Sequence, residues 1–209
     1  DRLGEDCATL LGLDLPGYDA LPHVVGLLGL HLVIYQLMVA RDIARVGGVH
    51  RIVCEVVAPK KTLIRDLAAD SYQENNLLPA QAVEQYLKDI EESDEWSTAK
   101  AKPAAFAECR GLLERRVLWG SDYSGTPESD ALMTSLKEDA KKRHRQHVAN
   151  VHRNYGRAIG LVSKRGTNKL RYAPSDELLK SLILANVARR MEFGEFLALL
   201  HQRYGLVFG

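Results

Sequence analysis

The chain has 209 residues, of which 46 % are hydrophobic and 26 % charged, with a formal net charge of +1. That length suffices for one large or two small domains, and the balance excludes wholesale disorder. The near-neutral total conceals an asymmetry: Lys137–Arg171 holds eleven Lys and Arg against only Glu138 and Asp139, a net of +9, so the remainder carries −8.

Cys7, Cys54 and Cys109 are odd in number and far apart. This argues against a disulfide framework or a zinc ribbon and fits a reducing, cytoplasmic location. The sequence starts without Met and is expected to be a piece of a longer protein, so a missing signal peptide carries no weight.

Residues 1–16 are short and mixed, ending at the turn Leu15-Pro16-Gly17. A helix is predicted from about Asp19, its N-cap, to Val46, closed by Gly47-Gly48. Within it Ala20–Ala40 has no Asp, Glu, Lys or Arg and is long enough to span a bilayer. Pro22, His23, His31 and Gln36 are expensive in hydrocarbon, so the expectation is no membrane and a core helix buried on all sides. Gly26 and Gly29 would admit a close neighbour. His50–Ala58 then reads as a strand with Ile52, Cys54, Val56 and Ala58 on one face, ended by Pro59.

Leu63, Leu67 and Tyr72 begin a helix that is expected to break at Asn75-Asn76. A second starts near Pro79, with Val83, Tyr86, Leu87 and Ile90 at helical spacing. The acidic run Asp89–Glu95 is unfavourable at a helix C-terminus and reads as a solvated loop or, alternatively, as a self-contact for the basic segment. Pro103 opens a helix striped by Phe106, Cys109, Leu113 and Val117. Gly120–Gly125 is the expected domain boundary, giving a helical part with one strand (1–120) and a second part (126–209).

Thr126-Pro127 supplies an N-cap and first-turn proline. Met133, Leu136, Ala140, His144, Val148, Val151 and Tyr155 line one side of the following helix, and Lys142, Arg145, Gln146 and Arg153 lie away from it. Ile159–Ser163 and Lys169–Ala173 flank Lys164-Arg165-Gly166-Thr167-Asn168, the pattern of a hairpin with a polar tip. Ser175 caps a helix through Leu178, Leu182 and Val187. Phe193–Tyr204 gives another, with Gly205 as C-cap and Leu206–Phe208 as a short strand. The fold class expected is mainly α with minor β: a helical bundle-like N-terminal part and a winged-helix-like C-terminal part. A usual winged helix places three helices before its hairpin, an order not followed here.

Catalytic and metal patterns are not found. His144, His147 and His152 lack a local Cys or carboxylate and sit in cationic surroundings. His50 and Cys54 share a strand face but do not make a site. Gly47-Gly48 precedes a strand instead of opening a helix, and no Gly-x-Ser-x-Gly elbow occurs. Glu55 with Lys60 and Lys61 lacks the second acid of a nuclease centre, and Ser71–Asn76 reads as capping and turn chemistry. No catalytic residue, metal or cofactor is expected.

The basic stretch remains. Clustered cations on a helix and a following hairpin suit phosphate, and Lys141, Lys142, Arg143, Arg145, Arg153, Lys164, Arg165 and Lys169 are the expected contacts to DNA or RNA. The favoured function is a non-catalytic nucleic-acid-binding or assembly subunit beside other protein subunits. Its rivals are a scaffold meeting an acidic protein partner and a fragment of an enzyme whose active site lies elsewhere. The runs Leu170-Arg-Tyr-Ala-Pro-Ser-Asp-Glu-Leu-Leu, Glu195-Phe-Leu and Arg203-Tyr-Gly-Leu-Val resemble the C-terminal portion of accessory proteins in bacterial DNA-based defence gene clusters. The resemblance covers about a fifth of the chain. It implies a subunit working beside other proteins on DNA and carries over no catalytic residue.

Overall fold

The computed structural model describes residues 2–48, 50–56, 62–164 and 169–209. In chain order the first elements are α1 (Arg2–Leu11), α2 (Gly17–Ala44), β1 (Ile52–Cys54), α3 (Thr62–Glu91), α4 (Asp94–Ala101) and α5 (Ala105–Val117). There follow α6 (Ser129–Arg143), a π-helical turn (His144–Val148), α7 (Val151–Ala158), β2 (Val162–Ser163), β3 (Arg171–Tyr172), α8 (Asp176–Asn186), α9 (Phe193–Tyr204) and β4 (Leu206–Phe208). The fold is therefore mainly helical with a minor sheet component. It comprises two compact units, one of Asp1–Val39, Gly47–Leu78 and Asn150–Gly209, the other of Ala40–Val46 and Pro79–Ala149.

The first unit is assembled from three separated stretches. Its central helix α2 buries Leu27, Leu30, Val33 and Leu37, each at most 1 % exposed. A Cβ at Gly29 would collide with Ile159, so the glycine is what lets that side chain lie on the helix. The expectation that α2 is buried all round is not met. Leu21, Val25, Leu28, Leu32 and Tyr35 are exposed, because only the face bearing Leu27, Leu30 and Leu37 meets the core. Among the described residues α2 is also the one helix long and apolar enough to cross a membrane, by length and composition alone.

β1 pairs in parallel with β4, Ile52 opposite Leu206, and β2 pairs antiparallel with β3, Val162 opposite Tyr172. The backbone N–H of Glu55 donates to the Tyr172 carbonyl at 3.0 Å and ties the first pair to the second. β1 is thus shorter than His50–Ala58, since Glu55 has left the β4 ladder for Tyr172. Val57–Lys61 and Arg165–Asn168, which include Pro59, the two lysines after it and most of the predicted hairpin tip, lie outside the described residues. Local signals at the C-terminal end are realised. Ser175 Oγ accepts from the Leu178 N–H at 3.3 Å at the start of α8, and Gly205 takes φ +71° at the end of α9.

The predicted break at Asn75-Asn76 does not occur, and α3 runs through it. Asn75 is buried, and its Nδ2 donates to the Arg51 carbonyl (3.3 Å) and the Tyr172 hydroxyl (3.1 Å). An amide occupied by tertiary partners does not compete for its own backbone.

The second unit is a helical cluster. Leu87 and Ile90 of α3, Trp96 of α4, Cys109 and Leu113 of α5, and Leu132, Met133 and Leu136 of α6 form its core. The acidic run is not a loop. Asp89 and Glu91 end α3, while Ser93 caps α4 by accepting from the Trp96 N–H at 3.1 Å. Asp94 and Glu95 thereby fall in the first turn of α4, where the helix dipole favours acid.

The loop around Gly120–Gly125 lies inside this unit and is not a boundary between parts. Trp119 Nε1 donates to Asp139 at 3.0 Å, and the Tyr123 ring packs against Phe106 and Trp119. α6 begins at Ser129 with Glu128 as N-cap, two residues beyond Thr126-Pro127.

Candidate nucleic-acid interface

The basic residues of the second unit follow from how α6 ends. Lys141, Lys142 and Arg143 occupy its last turn, where the C-terminal end of the dipole favours cations. The helix then loosens into the π-helical turn, with Ala149 N donating to the His144 carbonyl at 2.8 Å. Such turns are rare and frequently found at functional positions. Lys141, Lys142, Arg143 and Arg145 are all exposed. Lys141 Nζ lies 3.4 Å from Glu84 Oε1, both well exposed, an ion pair of little energetic consequence. Arg145 Nε donates to the Lys141 carbonyl at 3.3 Å, leaving its charge uncompensated. Lys142 and Arg143 have no ion-pair partner among the described residues.

In the first unit, Arg153 and Arg157 project from α7 into solvent, and Lys164 and Lys169 are exposed. None of the four has an acidic partner among the described residues. Arg165 lies outside the described residues. Tyr155 is 46 % exposed on the same short helix, whereas Tyr172 is fully buried.

Two members of the basic stretch are otherwise engaged. Lys137 Nζ pairs with Glu91 Oε2 at 2.5 Å. Arg171 is 2 % exposed, and its Nε donates to Glu55 Oε2. Arg65 Nε reaches the other oxygen of the same carboxylate at 3.4 Å. Arg171 is therefore a structural cation, and Glu55 is its counter-ion.

His144 and His152 do not add charge here. Burial pushes His144 below the ordinary imidazole value. Burial, reinforced by His50, pushes His152 down to about 4. His152 Nε2 lies 2.7 Å from the Tyr172 hydroxyl, and its ring stacks on Tyr72 at 5.6 Å. Burial likewise holds the Tyr172 phenol well above its usual value, so both groups stay neutral. Among the described residues no three His, Cys, Asp or Glu side chains group as metal ligands.

A second polar cluster in the first unit escaped the sequence reading. Asp6, fully buried in α1, accepts from the Tyr204 hydroxyl at 2.8 Å and from Arg203 Nη2 at 2.5 Å, with His31 Nε2 at 2.7 Å. Burial alone would raise its carboxyl; these hydrogen bonds and the Arg203 charge outweigh it and hold the group below its ordinary value. All three partners lie far from Asp6 in sequence, so no spacing announces the cluster. Comparison of the chain with protein-family models, curated proteins and solved structures gives no match.

Proposed function

We propose that the chain is a non-catalytic nucleic-acid-binding or assembly subunit that meets phosphate through Lys142, Arg143, Arg145, Arg153, Lys164 and Lys169. It would serve a larger bacterial assembly acting on DNA, of the defence type that the C-terminal resemblance implies, in the cytoplasm. The supporting observation is that these six cations are solvent-exposed and lack acidic partners among the described residues, while the buried Arg171 is matched by Glu55. Exposed, uncompensated cations release counter-ions from a phosphate backbone at little desolvation cost. In this reading α7 and the β2–β3 pair contact the duplex in the manner of a helix and wing.

Replacing Lys142, Arg143, Arg145 and Arg153 together with Ala tests it. Each lost phosphate contact should flatten the log–log salt dependence of duplex binding by about 0.9. Unchanged affinity and slope would remove the proposal. A protein partner that stays bound under excess nonspecific DNA would favour the acidic-partner scaffold instead.

A further inference from the structure

The exposed face of α2 has a period. Tyr18, Leu21, Val25, Leu28, Leu32, Tyr35 and Val39 are separated by alternating steps of three and four residues, and each is between 38 % and 79 % exposed. Alternating steps of this kind define the a and d positions of a coiled-coil heptad. Tyr18, Val25, Leu32 and Val39 fall at a; Leu21, Leu28 and Tyr35 fall at d. The core of the first unit is served by the other side of the helix through Leu27, Leu30 and Leu37, so the seam is additional to the fold. Clefts open on both of its flanks, one lined by His31 and Arg203, the other by Tyr155 and Ser181.

We propose that α2 pairs with α2 of a second copy of this chain, parallel and in register, along the seam from Tyr18 to Val39. The side chains select this occupant. Val25 and Val39 at a with Leu21 and Leu28 at d follow the pattern that favours two parallel strands, from which Leu32 at a and the two tyrosines depart. On α2 itself the flanking e and g positions hold Pro22, Gly29 and Gln36, and Val24, His31 and Met38, none of them charged, while Arg2, Arg203 and Glu177 line the clefts beside the seam. The seven side chains together present apolar surface on the order of 750 Å² per copy, close to one partner's share of a stable interface. A helix lying in a bilayer surface carries Lys and Arg along its polar side, and residues 20–40 contain neither. A helix crossing the bilayer would have to abandon the core contacts of Leu27, Leu30 and Leu37.

The test is the mass of the whole chain in solution by sedimentation equilibrium, without detergent, up to about 100 µM. The expected result is a dimer. Leu28→Glu with Leu32→Glu should weaken it by at least about 100-fold while circular dichroism stays that of the wild type, since both positions are half-exposed. Val39→Cys in a Cys7→Ser background should crosslink to itself on oxidation, as an in-register parallel pair requires. A wild-type monomer at the highest concentration, or a dimer that survives the double Glu variant, would overturn the proposal. So would a dimer in which the Val39→Cys variant fails to crosslink. Co-flotation of the wild type, and not the double Glu variant, with phosphatidylcholine–phosphatidylglycerol vesicles would assign the face to lipid and overturn it equally.

Discussion

Among the described residues, the buried polar and charged side chains are Asp6, Glu55, Ser71, Asn75, His152, Arg171 and Ser181, and every one belongs to the first unit. The second unit buries Leu, Ile, Met, Ala, Cys and Trp side chains around α3 to α6. One core is held by apolar area, which is non-directional and tolerates exchange of similar volumes. The other contains groups that are acceptable only with their partners in place, so it has fewer alternative packings and a larger penalty for losing one member. The two Trp residues of the chain, Trp96 and Trp119, both lie in the second unit, and indole fluorescence therefore reports that unit separately from the helicity of the whole.

The largest effect should come from Leu30→Asp. Leu30 is fully buried, and an unpaired buried charge costs several kcal/mol against a total stability of about 5–15 kcal/mol. Far-ultraviolet circular dichroism should show loss of the first unit's helices while Trp fluorescence stays native. Simultaneous loss of both signals would show that the two cores stand or fall together.

Next is Arg171→Met, which leaves the buried Glu55 carboxylate with Arg65 as its remaining cationic partner among the described residues. A loss of about 3–5 kcal/mol is expected in urea unfolding, and Glu55→Gln added to it should restore a good part. An effect below about 1 kcal/mol would place this pair with solvated surface pairs.

The third perturbation is pH. His152 titrates near 4 in the folded state, against an ordinary value of 6.5. Between those values the unfolded chain takes up a proton that the folded chain refuses, so stability falls as pH drops from 6.5 toward 4, by roughly 3 kcal/mol. Urea midpoints followed by circular dichroism should show this slope and lose most of it in His152→Gln. Asp6, whose carboxyl is held low, adds its own loss only at more acidic pH.

The smallest effect belongs to the second unit. Ser93→Ala removes the cap of α4 and should cost about 1 kcal/mol, read by Trp fluorescence.

Legibility in the sequence divides along the same line. The Ser175 and Gly205 caps depend on residues within one helical turn, and both were readable. The core stripe of the second unit was readable for the same reason, since Cys109, Leu113, Met133 and Leu136 recur at helical spacing. Arg171 looks in sequence like its basic neighbours, and its partner Glu55 lies 116 residues away. α1 reads as a mixed segment because its buried Asp6 looks like a solvent-facing acid until Tyr204 and Arg203 are brought to it. Gly120–Gly125 shows why turn residues do not mark boundaries: the same chemistry reverses the chain within a packed unit. Of the expected phosphate contacts among the described residues, exposure was legible from charge. Engagement by a neighbour, as at Lys141 and Glu84, was not.

The parallel pairing of β1 with β4 and the bond from Tyr204 to Asp6, which spans 198 residues, bear on the order of folding. Pro79–Ala149 is continuous and its core closes over short loops, so it can condense as soon as it is synthesised. The first unit must hold two early stretches unsatisfied until Asn150–Gly209 arrives, bearing the loop-closure entropy of distant contacts before any of them is formed. During translation Asp6 and the core face of α2 are therefore made before the partners that Asn150–Gly209 brings to them.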